Sequence, residues 1–435
     1  MTDTAVKIDL ESGRKSRLSP EVRRGLLGLG LGNTLEWYDW MVFGLLSAFI
    51  GPKFFPSQDP VAATLSALAV FAVGFAFRPL GGILLGTLAD RIGRRRVMLW
   101  SIMMMAGTTL IIALCPTYDQ IGAAAGVILL VCRIIQGIST GVEAPLSTAH
   151  AVELVPEGRE GFVAGIISFY VNAGILLASL VSWLSSLMLG AAVMADWGWR
   201  VPFVVGAAFG FVVVYLRRTL PETMKPEELA ENNSSKTVWG GVRKHWLSVL
   251  AITFVVGAAQ AYNYAWNTGL PTAARSGFKE DATAVFALTT VLGVVLVVGS
   301  LIISKVADGK SISKWFLITR ALSIPSVFLM LMYVKPGIAG FAAVLLGGSV
   351  VLVLNMTLYN VVSSSLMPKN CRGAGTALGY GLGVALFGGT ASYLLVWLQS
   401  LNASWIFPVY VAVLSALSIV FYLLARKKNG IFIGR

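Results

Sequence analysis

Along this chain of 435 residues, long apolar runs alternate with short polar breaks. Runs of about twenty apolar residues are the length at which a helix crosses the hydrocarbon core of a bilayer. Twelve such segments can be read, at 26–50, 61–85, 97–115, 121–152, 161–189, 201–217, 247–271, 282–303, 315–334, 338–366, 373–400 and 406–425. They are numbered 1 to 12 below. Segments 4 and 10 are longer than a perpendicular span needs, so they tilt or extend past the membrane. The longest polar stretch, Arg217 to Trp246, contains four acidic and six basic residues with Asn232-Asn233-Ser234-Ser235 at its middle. The pattern therefore predicts an all-α membrane protein of two pseudo-symmetric six-helix bundles. The expected boundaries are a tail at 1–25, a first bundle at 26–217, a linker at 218–246, a second bundle at 247–425 and a second tail at 426–435. Six plus six spans suit two parallel halves, each built from three-helix inverted repeats. A trace of duplication is visible, since Leu88-Ala89-Asp90 after segment 2 corresponds to Val306-Ala307-Asp308 after segment 8.

Composition agrees with the pattern. Apolar residues make up 56% of the chain and charged residues only 13%, with a mean hydropathy of +0.76, whereas a soluble domain carries about 25% charge. A net charge of +13 could indicate nucleic acid, but the placement of the charges excludes it. Most of the lysines and arginines fall in the two tails and in alternate loops, and only Lys53, Arg200, Arg275, Lys279 and Lys335 fall in the other set. This is the positive-inside asymmetry, and it predicts both termini in the cytoplasm and a multi-pass protein of the plasma (inner) membrane. The polar, basic stretch Met1 to Arg24 reads as a tail and not as a signal sequence. Cys115, Cys132 and Cys371 are scattered, odd in number and near apolar runs, which fits packing residues better than a disulfide framework or a metal site.

Three arginines, Arg78, Arg133 and Arg320, fall inside apolar segments. Charge there must face water, a partner or a ligand, so each is a functional candidate, although Arg320 lies close enough to a segment end to snorkel. Segment 1 carries Asn33, Glu36, Trp37 and Trp40 at helical spacing, with Asp39 beside them. Two carboxylates at that depth fit proton carriage by Glu36 or Asp39, and equally a fixed polar network that holds segment 1 to its neighbours. Arg78, about twelve residues before Asp90, is suited to gripping a substrate carboxylate with its planar fork, or to a permanent ion pair with Glu36 or Asp39. On segment 4, Glu143 shares a face with Ser147 and His150, while Arg133 lies about 15 Å further along the axis and points elsewhere. His150 fits a satisfied polar residue near a helix end better than a titrating switch. Segment 7 reads Gln260-Ala261-Tyr262-Asn263-Tyr264-Ala265-Trp266-Asn267. Its aromatic and amide groups suit closure over a ligand, or else an interfacial aromatic belt. Segment 10 adds Asn355, Thr357, Tyr359 and Asn360.

Between segments 2 and 3 lies Gly86 to Arg96, reading GTLADRIGRRR, expected as a short, tightly held loop. Four arginines alone would serve as a membrane anchor, but that reading leaves the two glycines and the aspartate unexplained. The loop resembles the G-x-x-x-D-R-x-G-R-R motif of major facilitator transporters at Gly86, Asp90, Arg91, Gly93, Arg94 and Arg95. The resemblance implies a conformational latch between the halves. Segment 4 carries R-x-x-Q-G-x-x-x-G, similar to the fourth-helix signature of that superfamily, which implies that Arg133 lies in the central cavity and takes part in proton coupling. Glu36-Trp37-Tyr38-Asp39, Phe77 to Gly82, Arg133 to Glu143, Glu153, Arg159-Glu160-Gly161 and Trp197 to Phe203 look like the metabolite:proton symporter branch. That branch includes permeases for 2-oxoglutarate, shikimate, citrate and proline or betaine. Val142, where a glycine is usual, and His150, where an aromatic is common, depart from it. Segment 5 lacks the Gly-Pro motif of drug–proton antiporters, and a short C-terminal tail differs from the long extension of some betaine carriers.

No phosphate-cradling loop and no zinc-type spacing are present, so an enzyme or an ATP-driven pump is not expected. The expectation is a proton-coupled importer of a small organic acid, acting as a monomer in the lipid bilayer without cofactor, metal or nucleic acid. Arg78, Arg133, Trp37, Tyr262, Asn263, Trp266, Asn355 and Tyr359 are its expected substrate contacts, and Glu36, Asp39 and Glu143 its proton-linked groups. A betaine or proline symporter, or a receptor that binds a metabolite without moving it, are the alternatives.

Overall fold

The computed structural model describes residues 20–92, 94–141, 143, 160–217, 235–307, 311–333, 335–368 and 371–432. Among these there are helices and connecting turns and no strands. Each expected segment contains helix among the described residues, with 142 and 144–152 of segment 4 outside them. Segment 1 is Pro20–Leu45 with Ser47–Phe54, segment 2 is Pro60–Ala76 with Arg78–Ile92, segment 3 is Arg94–Leu114 and segment 4 is Ala124–Thr140. Segments 5 and 6 are Glu160–Val193 and Arg200–Arg217, and segment 7 is Trp246–Tyr264 continued by Leu270–Ser276. Segments 8 and 9 are Ala282–Ala307 and Ile312–Tyr333, and segment 10 is Ile338–Gly347 with Ser349–Ser365. Segment 11 is Arg372–Gly383 with Gly389–Ser400, and segment 12 is Ile406–Asn429.

Nine helices among the described residues are long and apolar enough to cross a membrane, and Ala124–Thr140 and Arg200–Leu216 are shorter apolar helices. Segment 1 is not among the nine, because Asn33, Thr34, Glu36 and Asp39 dilute its apolar run; all four are buried. The expected loop at Gly86 to Arg96 is shorter than the sequence indicated, since helix runs to Ile92 and resumes at Arg94. Gly93, the surroundings of Gly86 and the side chains of Asp90, Arg91, Arg94 and Arg95 lie outside the described residues, as do Val142, His150, Glu153 and Asp308.

The helices that carry the charged residues are set by close backbone contacts. A Cβ on Gly81 would lie 2.0 Å from the carbonyl oxygen of Ile138, and one on Gly137 would lie 1.9 Å from that of Gly74. Segments 2 and 4 therefore touch backbone to backbone, which only glycine allows. On the other side, Thr34 Oγ1 donates to the Tyr170 carbonyl at 2.9 Å, and Tyr38 Oη donates to the Pro202 carbonyl at 2.7 Å, tying segment 1 to segments 5 and 6. The two halves meet along segments 5 and 8, where Asn172 Nδ2 donates to the Leu296 carbonyl at 3.2 Å and Ser186 and Thr283 hydroxyls lie 2.9 Å apart. They also meet where Thr272 Oγ1 on segment 7 donates to the Gly44 carbonyl on segment 1 at 3.2 Å.

Among these nine spans segment 7 is the most enclosed. In its apolar window 78% of the residues are buried, against 33% for Gly165–Gly198. Its α-helix passes through a π turn at Ala265–Gly269 just before Pro271, consistent with a proline that cannot donate to the preceding turn.

The glycine contacts generate a paired expectation. Gly137→Ala forces segments 2 and 4 apart and costs about 1–3 kcal/mol or more. Gly107→Ala, on segment 3 with nothing within 4 Å of the added Cβ, is neutral or stabilising by up to about 1 kcal/mol. Thermal unfolding of the two variants in detergent checks both, and equal behaviour would remove the case for backbone contact.

Candidate functional site

Segment 1 brings two carboxylates into the interior, and a different helix answers each. Arg78 Nη2 of segment 2 lies 3.0 Å from Glu36 Oε1, and Arg133 Nη1 of segment 4 lies 3.1 Å from Asp39 Oδ2. All four side chains are buried. The open choice of partner for Arg78 thus resolves to Glu36. Arg133, which points away from Glu143, turns to Asp39.

The two pairs have different surroundings. Asp39 Oδ1 accepts from the Thr109 hydroxyl and from Gln136 Nε2, the latter at 3.2 Å, and Gln136 Nε2 also lies 3.0 Å from Thr109 Oγ1. This network lies wholly within the first half. Trp40 separates the pairs, with its ring centroid 4.6 Å from the Arg78 guanidinium carbon and 5.3 Å from that of Arg133. Phe75 covers Arg78 at 4.6 Å and Phe43 covers Arg133 at 3.9 Å. Each guanidinium is therefore held by a carboxylate and aromatic faces in a dry environment, where such contacts are strongest.

The Glu36–Arg78 pair faces the second half. Trp37, next to Glu36, stacks on Tyr264 of segment 7 with centroids 5.8 Å apart, and Phe75 meets the edge of Tyr264 at 5.0 Å. Arg78 and Glu36 are both within electrostatic reach of the Tyr264 and Tyr380 hydroxyls. Behind them, Gln260 Nε2 donates to Tyr359 Oη at 2.8 Å, Tyr359 and Tyr380 hydroxyls lie 3.4 Å apart, and Asn263 Nδ2 lies 3.4 Å from Gln260 Oε1. Asn267 Nδ2 continues the chain to Asn263 Oδ1 at 2.9 Å. An ion pair from one half thus confronts phenols and amides from the other. The Tyr264 hydroxyl is buried and has no hydrogen-bond partner, so it is a donor open to a ligand.

Several expected contacts are relocated. Tyr262 and Trp266 stack on one another at 4.2 Å, Tyr262 Oη lies 3.1 Å from Ser326 Oγ, and Trp266 Nε1 donates to the Leu345 carbonyl at 3.0 Å. They face segments 9 and 10 inside the second half, and the contact with segment 1 belongs to Tyr264. The reason is helical phase, since Tyr262 and Tyr264 lie about 200° apart around the axis. The aromatics are buried, so the interfacial-belt reading of segment 7 fails as well. Asn355 donates to the Val351 carbonyl of its own helix at 3.0 Å and makes no described contact with the central groups. Glu143 is buried, and residues 142 and 144–159 around it lie outside the described residues. Trp37, Asn263 and Tyr359 do join the central cluster.

The sequence reading passed over Trp40, Phe75, Thr109, Gln136, Gln260, Tyr264 and Tyr380 as site members. Gln136 lay within a motif and Gln260 and Tyr264 within a highlighted stretch, so periodicity could have singled them out. Thr109 and Tyr380 are lone polar groups in apolar runs and carry no local signal.

Paired charges buried among helices, with the second half closing over them, define a multi-pass membrane transporter and not an enzyme. The profile of the Major Facilitator Superfamily matches residues 29–383, and the chain belongs to that family. It is 31% identical over 423 residues to the alpha-ketoglutarate permease of Escherichia coli (strain K12), covering 94% of this chain and 96% of the permease. It is also 30% identical over 411 residues to a putative proline/betaine transporter of Staphylococcus haemolyticus (strain JCSC1435), covering 92% of this chain and 86% of that protein. A major facilitator proton:xylose symporter bound to 6-bromo-6-deoxy-D-glucose superposes with a TM-score of 0.74 at 18% identity, over 96% of this chain and 98% of that one. The family match extends through residue 383 into the second half, which the sequence matched mainly by its helix count.

The Asp39 network yields a stability test. Asp39→Asn strands the Arg133 charge and costs about 3–5 kcal/mol, whereas adding Arg133→Met recovers much of the loss because no unmatched charge remains. Denaturation in detergent measures both; a double variant as unstable as the single one would show that Asp39 stabilises by some other route.

Proposed function

We propose that the protein imports a small mono- or dicarboxylate together with a proton by alternating access of its two six-helix halves. The observation that carries this reading is the buried Glu36–Arg78 pair facing Tyr264 and Tyr380. A substrate carboxylate competes with Glu36 for Arg78, whose fork accepts either. Displacing Glu36 as an anion would leave an unmatched negative charge in the interior, at a cost of several kcal/mol. Protonation of Glu36 removes that cost. The proton and the carboxylate therefore enter as a pair, and for a monocarboxylate the site stays neutral in both states. Tyr264, Tyr380, Gln260 and Asn263 supply donors for the rest of the ligand, and Trp37 forms an apolar wall.

In this scheme the Asp39–Arg133 pair is a fixed counterpart that sets the position of segment 1, since Thr109 and Gln136 already hold Asp39. The boundaries at 26–217 and 247–425 mark the moving halves, Asp90 and the arginines around it act as the latch between them, and the positive-inside asymmetry sets both termini in the cytoplasm of a plasma-membrane monomer. A second reading, a betaine or proline symporter, is favoured by the Trp37, Tyr264 and Tyr380 rings, which could receive a cationic head.

Uptake into proteoliposomes under an inward proton gradient separates the readings, using labelled 2-oxoglutarate, citrate, shikimate, lactate, betaine and proline. The expected result is gradient-driven accumulation of a carboxylate that Arg78→Gln abolishes by at least tenfold. Accumulation of betaine or proline alone would replace the first reading with the second, and binding without accumulation would favour a receptor.

Glu36→Gln gives a sharper test of coupling. This variant mimics the protonated state, so it is expected to exchange labelled for unlabelled substrate while losing accumulation driven by the proton gradient. Retention of gradient-driven uptake would assign the proton to another group.

A further inference from the structure

Arg320 of segment 9 presents a charge that neither ion pair accounts for. It lies eight residues inside the helix that begins at Ile312, and it is 1% exposed, so it does not snorkel to an interface as the sequence allowed. Nη2 donates to the Val255 carbonyl of segment 7 at 2.9 Å, the Phe316 ring lies 5.2 Å from the guanidinium carbon, and Nε has no partner. No carboxylate pairs with it among the described residues. A guanidinium in a protein does not shed its proton.

The second half holds no carboxylate within its apolar runs. From residue 247 onwards its only acidic residues are Glu280, Asp281 and Asp308, all outside the apolar runs. Glu280 Oε1 accepts from the Gly337 amide at 2.6 Å and Asp281 Oδ2 from the Ala284 amide at 2.8 Å, at the far end of segment 8. Asp308 lies outside the described residues, before the helix that begins at Ile312. Polar groups nevertheless line segments 9 and 12 here. Ser323 and Ser415 hydroxyls lie 3.0 Å apart, Tyr422 Oη donates to Ser313 Oγ at 2.7 Å, and Ser418 is fully buried. Hydroxyls can turn to donate to a small anion. Segment 7 separates this seam from the transport site, because Val255 and Tyr262 share the face opposite to Gln260 and Tyr264.

We propose that Arg320 anchors a binding site for a small inorganic monoanion of halide size, buried among segments 7, 9 and 12 and separate from the transport site. The anion neutralises the guanidinium and satisfies its remaining donors, so the second half reaches full stability only with the site filled. Arg78 and Arg133 have no such need, each having its own carboxylate.

The test uses the full chain purified in detergent, with chloride exchanged for gluconate at constant ionic strength. Expected are a saturable rise in the unfolding temperature with chloride or bromide, and one displaceable site per chain in equilibrium dialysis with radiolabelled chloride. Arg320→Gln is expected to lose both effects, and Arg320→Lys to bind more weakly. Absence of saturable binding to folded wild type overturns the proposal, as does binding that survives Arg320→Gln. Displacement of chloride by whichever acid is transported, at the concentration that half-saturates transport, would make the ligand the substrate itself and also overturns it. If Arg320→Gln does not fold, the wild-type isotherm and Arg320→Lys decide. None of these readouts requires the transport scheme to be correct.

Discussion

A charge inside a membrane protein must be matched where it lies, because neither lipid nor dry protein can solvate it. Most of this structure follows from how the matching is done. Glu36 and Asp39 sit one turn apart on segment 1, and their arginines come from two other helices. That division obliges segments 2 and 4 to approach segment 1 together, and the glycines at 81 and 137 allow the required closeness. Trp40 fills the gap between the pairs. Two adjacent ion pairs can therefore serve different ends, one closed within its half by Thr109 and Gln136 and the other turned towards the opposite half.

The second half answers with neutral chemistry. Its spans contain no acidic residue, and what it sets against Arg78 is a row of phenols and amides. Segment 7 serves two interfaces at once: Tyr264 looks towards segment 1, while Val255 and Tyr262 anchor the helix against segment 9. Its π turn adds slack where the chain passes from the central region to the contact with Gly44, a place where a helix can change register without losing its packing.

Much of the architecture was legible in the sequence because membrane spans announce themselves by length. All twelve apolar segments contain helix among the described residues, and the buried charged residues were conspicuous against so little other charge. Which arginine would pair with which carboxylate was not legible, because the pairing depends on the rotation of three helices about their own axes. The same limit misplaced Tyr262 and Trp266: composition marked the right stretch of segment 7, but a phase of about 200° separates the two sides of a helix. Thr109 and Tyr380 show the deeper limit. A single threonine or tyrosine in an apolar run is equally compatible with packing and with a site, and only the third dimension distinguishes them. The motif around Asp90 was plain to read, yet the expected loop proved to be almost continuous helix.

The Glu36–Arg78 pair has an electrical consequence. Empty, the pair carries no net charge; with a monocarboxylate bound and Glu36 protonated, it still carries none. In the proposed scheme both crossings would then be electroneutral for a monocarboxylate, so membrane voltage would do no work on either and the proton's contribution to the driving force would be the pH difference alone. A dicarboxylate carried with the same single proton would take one negative charge across, and an inside-negative voltage would oppose its entry by about 2.3 kcal/mol per 100 mV. The valence of the cargo would thus decide whether the cell's voltage hinders its uptake.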